Sequence, residues 1–145
     1  MYTLNQIVAK LQTIATNHLQ IKSFGFGDSW ELEADGAKNS PIMWAIAKGF
    51  SIEPKAITYN FTLLFMDLVD KDEANETEVL SDQTLIATDV LSLLDEESLS
   101  DTFTIVKTNS AEYFTERFDN EYAGVFIDLG IRVNYLRNHC EAPTD

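Results

Sequence analysis

The chain has 145 residues, 45% of them hydrophobic and 23% charged, with only three prolines and six glycines, which is the composition of one globular domain and excludes a disordered or collagen-like chain. Ten Lys and Arg against 24 Asp and Glu leave a net charge of −14, so a nucleic-acid backbone or an anionic membrane is repelled overall, which argues against a dedicated DNA or RNA binder. Cys140 is the only cysteine, which rules out an intramolecular disulfide framework and a cysteine-based zinc site and suits a reducing compartment.

At the N-terminus, Leu4, Ile7, Val8, Leu11, Ile14, Ala15 and Leu19 recur at the spacing of one helical face. Thr3 followed three residues later by Gln6 forms a capping box, so a helix is expected over 4–18. The opening residues lack a basic stretch followed by an apolar core, and no run nears the roughly 18 apolar residues of a membrane span; a soluble, non-exported protein is expected.

From Ile21 to Gly27 the pattern shortens to a strand in which Phe24 and Phe26 alternate with small residues, ending at a Gly27-Asp28 turn signal. Ser29 to Asn39 is polar around Trp30 and Leu32, with a second turn signal at Asp35-Gly36, and Ser40-Pro41 leads into the apolar run Ile42 to Ala47. A hairpin is the economical reading of this region. A loop is expected over Gly49 to Lys55.

The strongest strand follows, with Ile57, Tyr59, Phe61, Leu63 and Phe65 alternating against Thr58, Asn60 and Thr62. Near its end Leu64, Met66 and Leu68 make the second face apolar too, as expected where another element or a neighbouring subunit covers it. Asp67 to Glu78 is an acidic turn, and Asn75 with Glu78 is placed to cap the next helix. Val79, Leu80, Ile86, Ala87, Val90, Leu91, Leu93 and Leu94 mark a broad stripe on that helix, which is expected to end near Glu96.

The chain closes with a short strand at Phe103 to Lys107, a stretch from Tyr113 to Phe118, and a long strand from Ala123 to Tyr135 in which every second residue is apolar. Asp119 to Tyr122 joins the last two as an antiparallel hairpin. The whole reads as a single α+β domain over 1–145: an antiparallel, partly mixed sheet with two helices packed on one face, in the order α-β-β-β-α-β-β.

Candidate chemistry is sparse. Gly25-Phe26-Gly27-Asp28 lacks the third glycine and the Lys and Ser/Thr of a nucleotide loop, so its glycines are read as strand and turn residues. Asp67, Asp70, Asp72, Glu73, Glu76 and Glu78 are oxygen ligands in type, but Ala74 stands at the third ligand position counted from Asp70 and the turn glycine is missing, so they are read as a solvated helix entry rather than a calcium loop. His18 and His139 have no partner at a diagnostic spacing, a Cys140–His139 pair needs a third orienting group, and Gly-x-Ser-x-Gly does not occur. No catalytic residue, metal or cofactor is expected. Most aromatics belong to a core; Trp30, Phe114 and Phe118, with Glu116 between the last two, are the candidates for a protein interface.

Several stretches carry a resemblance that extends nearly end to end: TLNQIVAKLQ, SFGFGDSWEL, NSPIMWA, ITYNFTLLFMDLVDKDEANETEVLSDQTLIATDVL and FTERFDNEYAGVFIDLGIRVNY, with Cys140 just after. Together they resemble a family of small virion proteins of tailed phages of Bacteroidetes, crAss-like phages included. Such proteins are similar in element order to tail-terminator and neck-ring proteins. The resemblance implies a ring-forming homo-oligomer of about six or about twelve copies, in the neck (head-tail connector) or at the tail terminus. It implies contacts with portal, connector or tail proteins of the same virion, and DNA passing through the lumen without specific binding. The loops around Gly36 and Asn109 and the edge of the final hairpin are expected to make the intersubunit contacts. The alternative is a monomeric acidic accessory or inhibitor protein that binds a host or phage protein.

Overall fold

The structure, a computed structural model, describes residues 3–27, 41–69, 75–100, 103–105, 111–117 and 122–134, with the side chains of all but 97–100, 116 and 117. Helix α1 (Leu4–Asn17) begins as its capping box requires: Gln6 N–H donates to Thr3 Oγ1 at 3.3 Å, and Thr3 N–H donates to Gln6 Oε1 at 2.9 Å. Two of the N–H groups that every helix start leaves orphaned are thereby satisfied, and such a cap contributes about 1 kcal/mol. The helix buries Ile7, Leu11, Ile14 and Ala15. It ends one turn too early to bury Leu19, which is 90% exposed and does not continue the apolar face as its spacing suggests.

Strands β1 (Ser23–Phe26), β2 (Ile42–Glu53) and β3 (Ala56–Leu68) follow, then helix α2 (Glu76–Ser100), then β4 (Phe103–Ile105), β5 (Ala111–Arg117) and β6 (Tyr122–Asn134). They form one six-stranded sheet in the order β1-β2-β3-β6-β4, with β5 also paired to β6. β3 occupies one side of β6 along its whole length; β4 pairs with Ile131 to Val133 and β5 with Tyr122 to Ile127 on the other side. The expected closing hairpin is therefore present as β5–β6. The fold is α+β with both helices on one face: Leu11, Ile14, Val90 and Leu94 pack with Met43, Phe61, Leu63, Phe65 and the Val125, Ile127, Leu129, Ile131 and Val133 series of β6 in a single core.

Two features of the sheet differ from the sequence reading. β1 runs parallel to β2, Ser23 opposite Ile42 through Phe26 opposite Ala45, so these strands are not a hairpin. Parallel neighbours need a long connection, and residues 28–40 supply the length while lying outside the described residues. The expected loop at Gly49 to Lys55 is mostly strand: β2 continues to Glu53 and turns through Pro54-Lys55 directly into β3, with Glu53 opposite Ala56. Proline presets the dihedral of a turn's second residue, so Pro54 here makes a tight corner. Gly49 marks a β-bulge, where the register shifts between Ala47 and Gly49 and the glycine takes φ +138°.

That bulge reverses the alternation of β2. Ahead of it Met43 and Ala45 face the helices while Ile42 and Trp44 face the back of the sheet; beyond it Phe50 stands opposite Tyr59, and Ile52 opposite Ile57, on the helix side. The back of the sheet has its own apolar cluster of Ile42, Trp44, Leu64, Met66, Phe114 and Tyr122, with Phe126 against it. This cluster accounts for the second apolar face at the end of β3.

α2 carries Val79, Ile86, Ala87, Val90 and Leu94 inward. Val79 N–H donates to the carbonyl of Asn75 at 2.9 Å, opening the helical ladder, and Glu76 and Glu78 occupy the first turn, where the dipole favours acids. The helix runs to Ser100, past the expected end near Glu96. Gln83 stands on the inward stripe, 1% exposed, and among the described residues its Oε1 has no hydrogen-bond donor.

Candidate interaction surface

The helices cover only part of the sheet. Phe50 and Ile52 lie on the helix side of the β2–β3 hairpin, yet they are 62% and 58% exposed, so neither α1 nor α2 reaches over them. A solvent-facing aromatic beside a solvent-facing isoleucine on a tight, strand-paired hairpin is costly to leave in water, at about 25 cal/mol for each Å² of apolar area. Lys48, the extra residue of the bulge, and Lys55 of the turn are exposed on the same arm. An apolar arm with basic residues on so acidic a chain is a feature of the kind that marks a binding surface.

At the other flank of the same face, α2 and β5 leave a cavity of about 180 Å³ lined by Ala87, Leu91, Val125 and Ile127, with Thr88 and Glu112. Tyr113, 60% exposed, also lines it. The Tyr113 hydroxyl lies 3.0 Å from Thr84 Oγ1, which holds the ring across the gap between strand and helix.

Of the interface candidates read from the sequence, Phe114 is in the back cluster, 4% exposed, with its ring 6.3 Å from that of Phe126; its area is spent inside its own chain. The side chain of Glu116, and Trp30, Phe118, Gly36 and Asn109, lie outside the described residues, as do His139 and Cys140. The glycine turn has a clear structural use. Gly25 stands opposite Trp44, and a Cβ there would come within 2.0 Å of the indole, which lies across the glycine and donates its Nε1–H to the Gly27 carbonyl at 3.0 Å.

His18 has a partner that its sequence spacing does not reveal. Its Nδ1 accepts the Gln20 N–H at 3.1 Å, which leaves Nε2 as the donor to Asp89 Oδ2 at 2.9 Å. Both ring nitrogens are thus used, Nδ1 within the turn that follows α1 and Nε2 in tying that end of the helix to α2, across 71 positions of sequence. Among the described residues no three His, Cys, Asp or Glu side chains gather as a metal would require, and no helix is long and apolar enough to cross a membrane.

No protein-family model matches the chain, and no curated protein matches it in sequence.

Proposed function

We propose that this chain is a structural subunit of a phage virion, a ring-forming protein of the neck or tail terminus that works by assembly rather than by catalysis. The observation that carries the reading is the exposed apolar arm of the β2–β3 hairpin, Phe50 and Ile52, held in a paired strand beyond the cover of the helices. Burial of such a surface needs another protein. The resemblance of the sequence stretches to small virion proteins supplies the setting, and the α+β fold with its two helices on one face suits a ring subunit.

In this reading the ring holds about six or about twelve copies, as closed cyclic assemblies do, and meets portal, connector or tail proteins of the same particle. The net charge of −14 lets DNA pass through the lumen without binding, because like charge disfavours phosphate contacts. Before assembly the subunit resides in the host cytoplasm. The experiment is mass spectrometry of purified particles with copy number measured against the major capsid protein. A stoichiometry near either ring order supports the proposal; absence from the particle overturns it and leaves an acidic accessory or inhibitor protein as the better description.

A further inference from the structure

His18 follows the last residue of α1 and is bonded through both ring nitrogens, and the two bonds respond differently to a proton. Nδ1 accepts the Gln20 N–H at 3.1 Å. A backbone N–H is always a donor, so Nδ1 carries no hydrogen and the neutral ring holds its proton on Nε2, facing Asp89 Oδ2 at 2.9 Å. A second proton can enter the ring only at Nδ1. There it turns an acceptor into a donor, and the bond from Gln20 is lost. The same proton gives the ring a positive charge beside the Asp89 carboxylate, which strengthens the Nε2 bond by making it an ion pair.

Few other charges bear on the ring. On α2 the residues one turn to either side of Asp89 are Leu85, Ile86, Ser92 and Leu93, and on α1 the turn before His18 holds Ile14 and Ala15. β1, which packs on α1, is Ser-Phe-Gly-Phe and has no titratable group. The turn after α1 leads to Lys22, whose Nζ donates to the Leu19 carbonyl at 3.5 Å. Among the described residues the ring therefore has one carboxylate in contact and one ammonium in the connection that follows it. The His18 side chain is 10% exposed and that of Asp89 56%, so protons reach the pair without any opening of the core.

We infer that His18 is a pH-operated latch at the end of α1: neutral, it holds the turn through Gln20 and α2 through Asp89, and protonated, it releases the turn and grips α2 harder. Histidine is the side chain whose charge ordinarily changes between about pH 5 and 8, which sets the window for the measurement. The freed link is the start of the connection from α1 to β1. It carries Leu19, 90% exposed, just ahead of Ile21, which is buried in the main core. Acid thus loosens that connection while α1 stays tied to α2.

The test is nuclear magnetic resonance of the full isotope-labelled chain across that window, with two variants. In the neutral ring the Nε2–H tautomer is expected. As the ring gains charge, the Gln20 amide is expected to lose protection from hydrogen exchange, corrected for its intrinsic rate, by about fivefold, the equivalent of one hydrogen bond of about 1 kcal/mol. Ring and amide are expected to share one midpoint. Asp89→Asn keeps an acceptor for Nε2 and removes the charge that favours the imidazolium, so both events are expected to move to lower pH together. His18→Gln has no titrating ring, and its Gln20 amide is expected to show no step. An Nδ1–H tautomer in the neutral ring overturns the inference, as does a ring that stays neutral down to about pH 5 or a Gln20 amide that stays protected while the ring charges. A step that persists in His18→Gln overturns it too, and a midpoint unmoved by Asp89→Asn overturns the part given to Asp89. None of these outcomes alters whether the protein is found in particles, so the latch and the virion role fail separately.

Discussion

Substituting alanine for Gly25 tests how the outer strand is held. The new Cβ would sit 2.0 Å from Cζ3 and 2.2 Å from Cε3 of Trp44, a side chain only 2% exposed. The indole has to leave, and with it goes the Nε1–H bond to Gly27 O. Overpacking of this kind costs about 1–3 kcal/mol, and the lost hydrogen bond about 1 kcal/mol more. Gly25→Ala is therefore expected to lose about 2–4 kcal/mol. With a urea slope of about 2 kcal/mol/M, that lowers the midpoint by about 1–2 M. The assay is urea unfolding followed by far-ultraviolet circular dichroism, because fluorescence would mix Trp44 with Trp30. The same substitution in a Trp44→Leu background meets a smaller side chain and is expected to cost about 1 kcal/mol or less, a coupling of about 2 kcal/mol. A loss below about 0.5 kcal/mol, or strict additivity of the two changes, would refute the claim that the indole occupies the space above the glycine.

Two further outcomes follow from the packing. Gly124→Ala places a Cβ 1.9 Å from the backbone carbonyl oxygen of Phe65; backbone cannot swing aside as a side chain can, so a loss of about 3 kcal/mol or more is expected, read as a fall in thermal midpoint or as insoluble expression. Gln83→Met removes a buried oxygen with no donor among the described residues while nearly keeping its volume, and is expected to raise stability by about 1 kcal/mol in the same urea assay; a loss instead would mean that the amide N–H₂ group contributes more than the orphaned oxygen costs.

The parts of the fold legible from sequence are those whose signal is local and repeated. The capping box at Thr3 and Gln6, the apolar face of α1 and the alternation of β6 from Ala123 to Val133 each state a period that only one backbone geometry satisfies. The end of β2 was illegible because Gly49 and Pro54, common loop residues, here serve as a bulge and a two-residue turn inside a continuous hairpin. The direction of β1 was illegible for another reason: four residues carry no record of which way their neighbour runs. The candidate surface was missed by the same cause as the end of β2, since residues read as a loop do not have a face, and Phe50 and Ile52 acquire one only when paired with Tyr59 and Ile57. The links between Gly25 and Trp44 and between His18 and Asp89 depend on how distant segments meet, and neither residue pair has a local pattern to announce it.

The bulge at Lys48 and Gly49 works as a phase shifter between two halves of one hairpin. Below it, the sequence answers to the core; above it, the same strand answers to whatever lies outside the molecule, and the odd-even rule that governs one half does not bind the other. Removal of the single extra residue would leave every pair of the hairpin in place, with Phe50 still opposite Tyr59 and Ile52 still opposite Ile57, now in regular alternation with Ala47 on the same side of the sheet. The extra residue therefore leaves the side of the arm unchanged and sets its direction instead: a bulge bends and twists the strand that carries it, so a one-codon deletion here would re-aim Phe50 and Ile52 without touching the interior or exchanging the faces of the sheet.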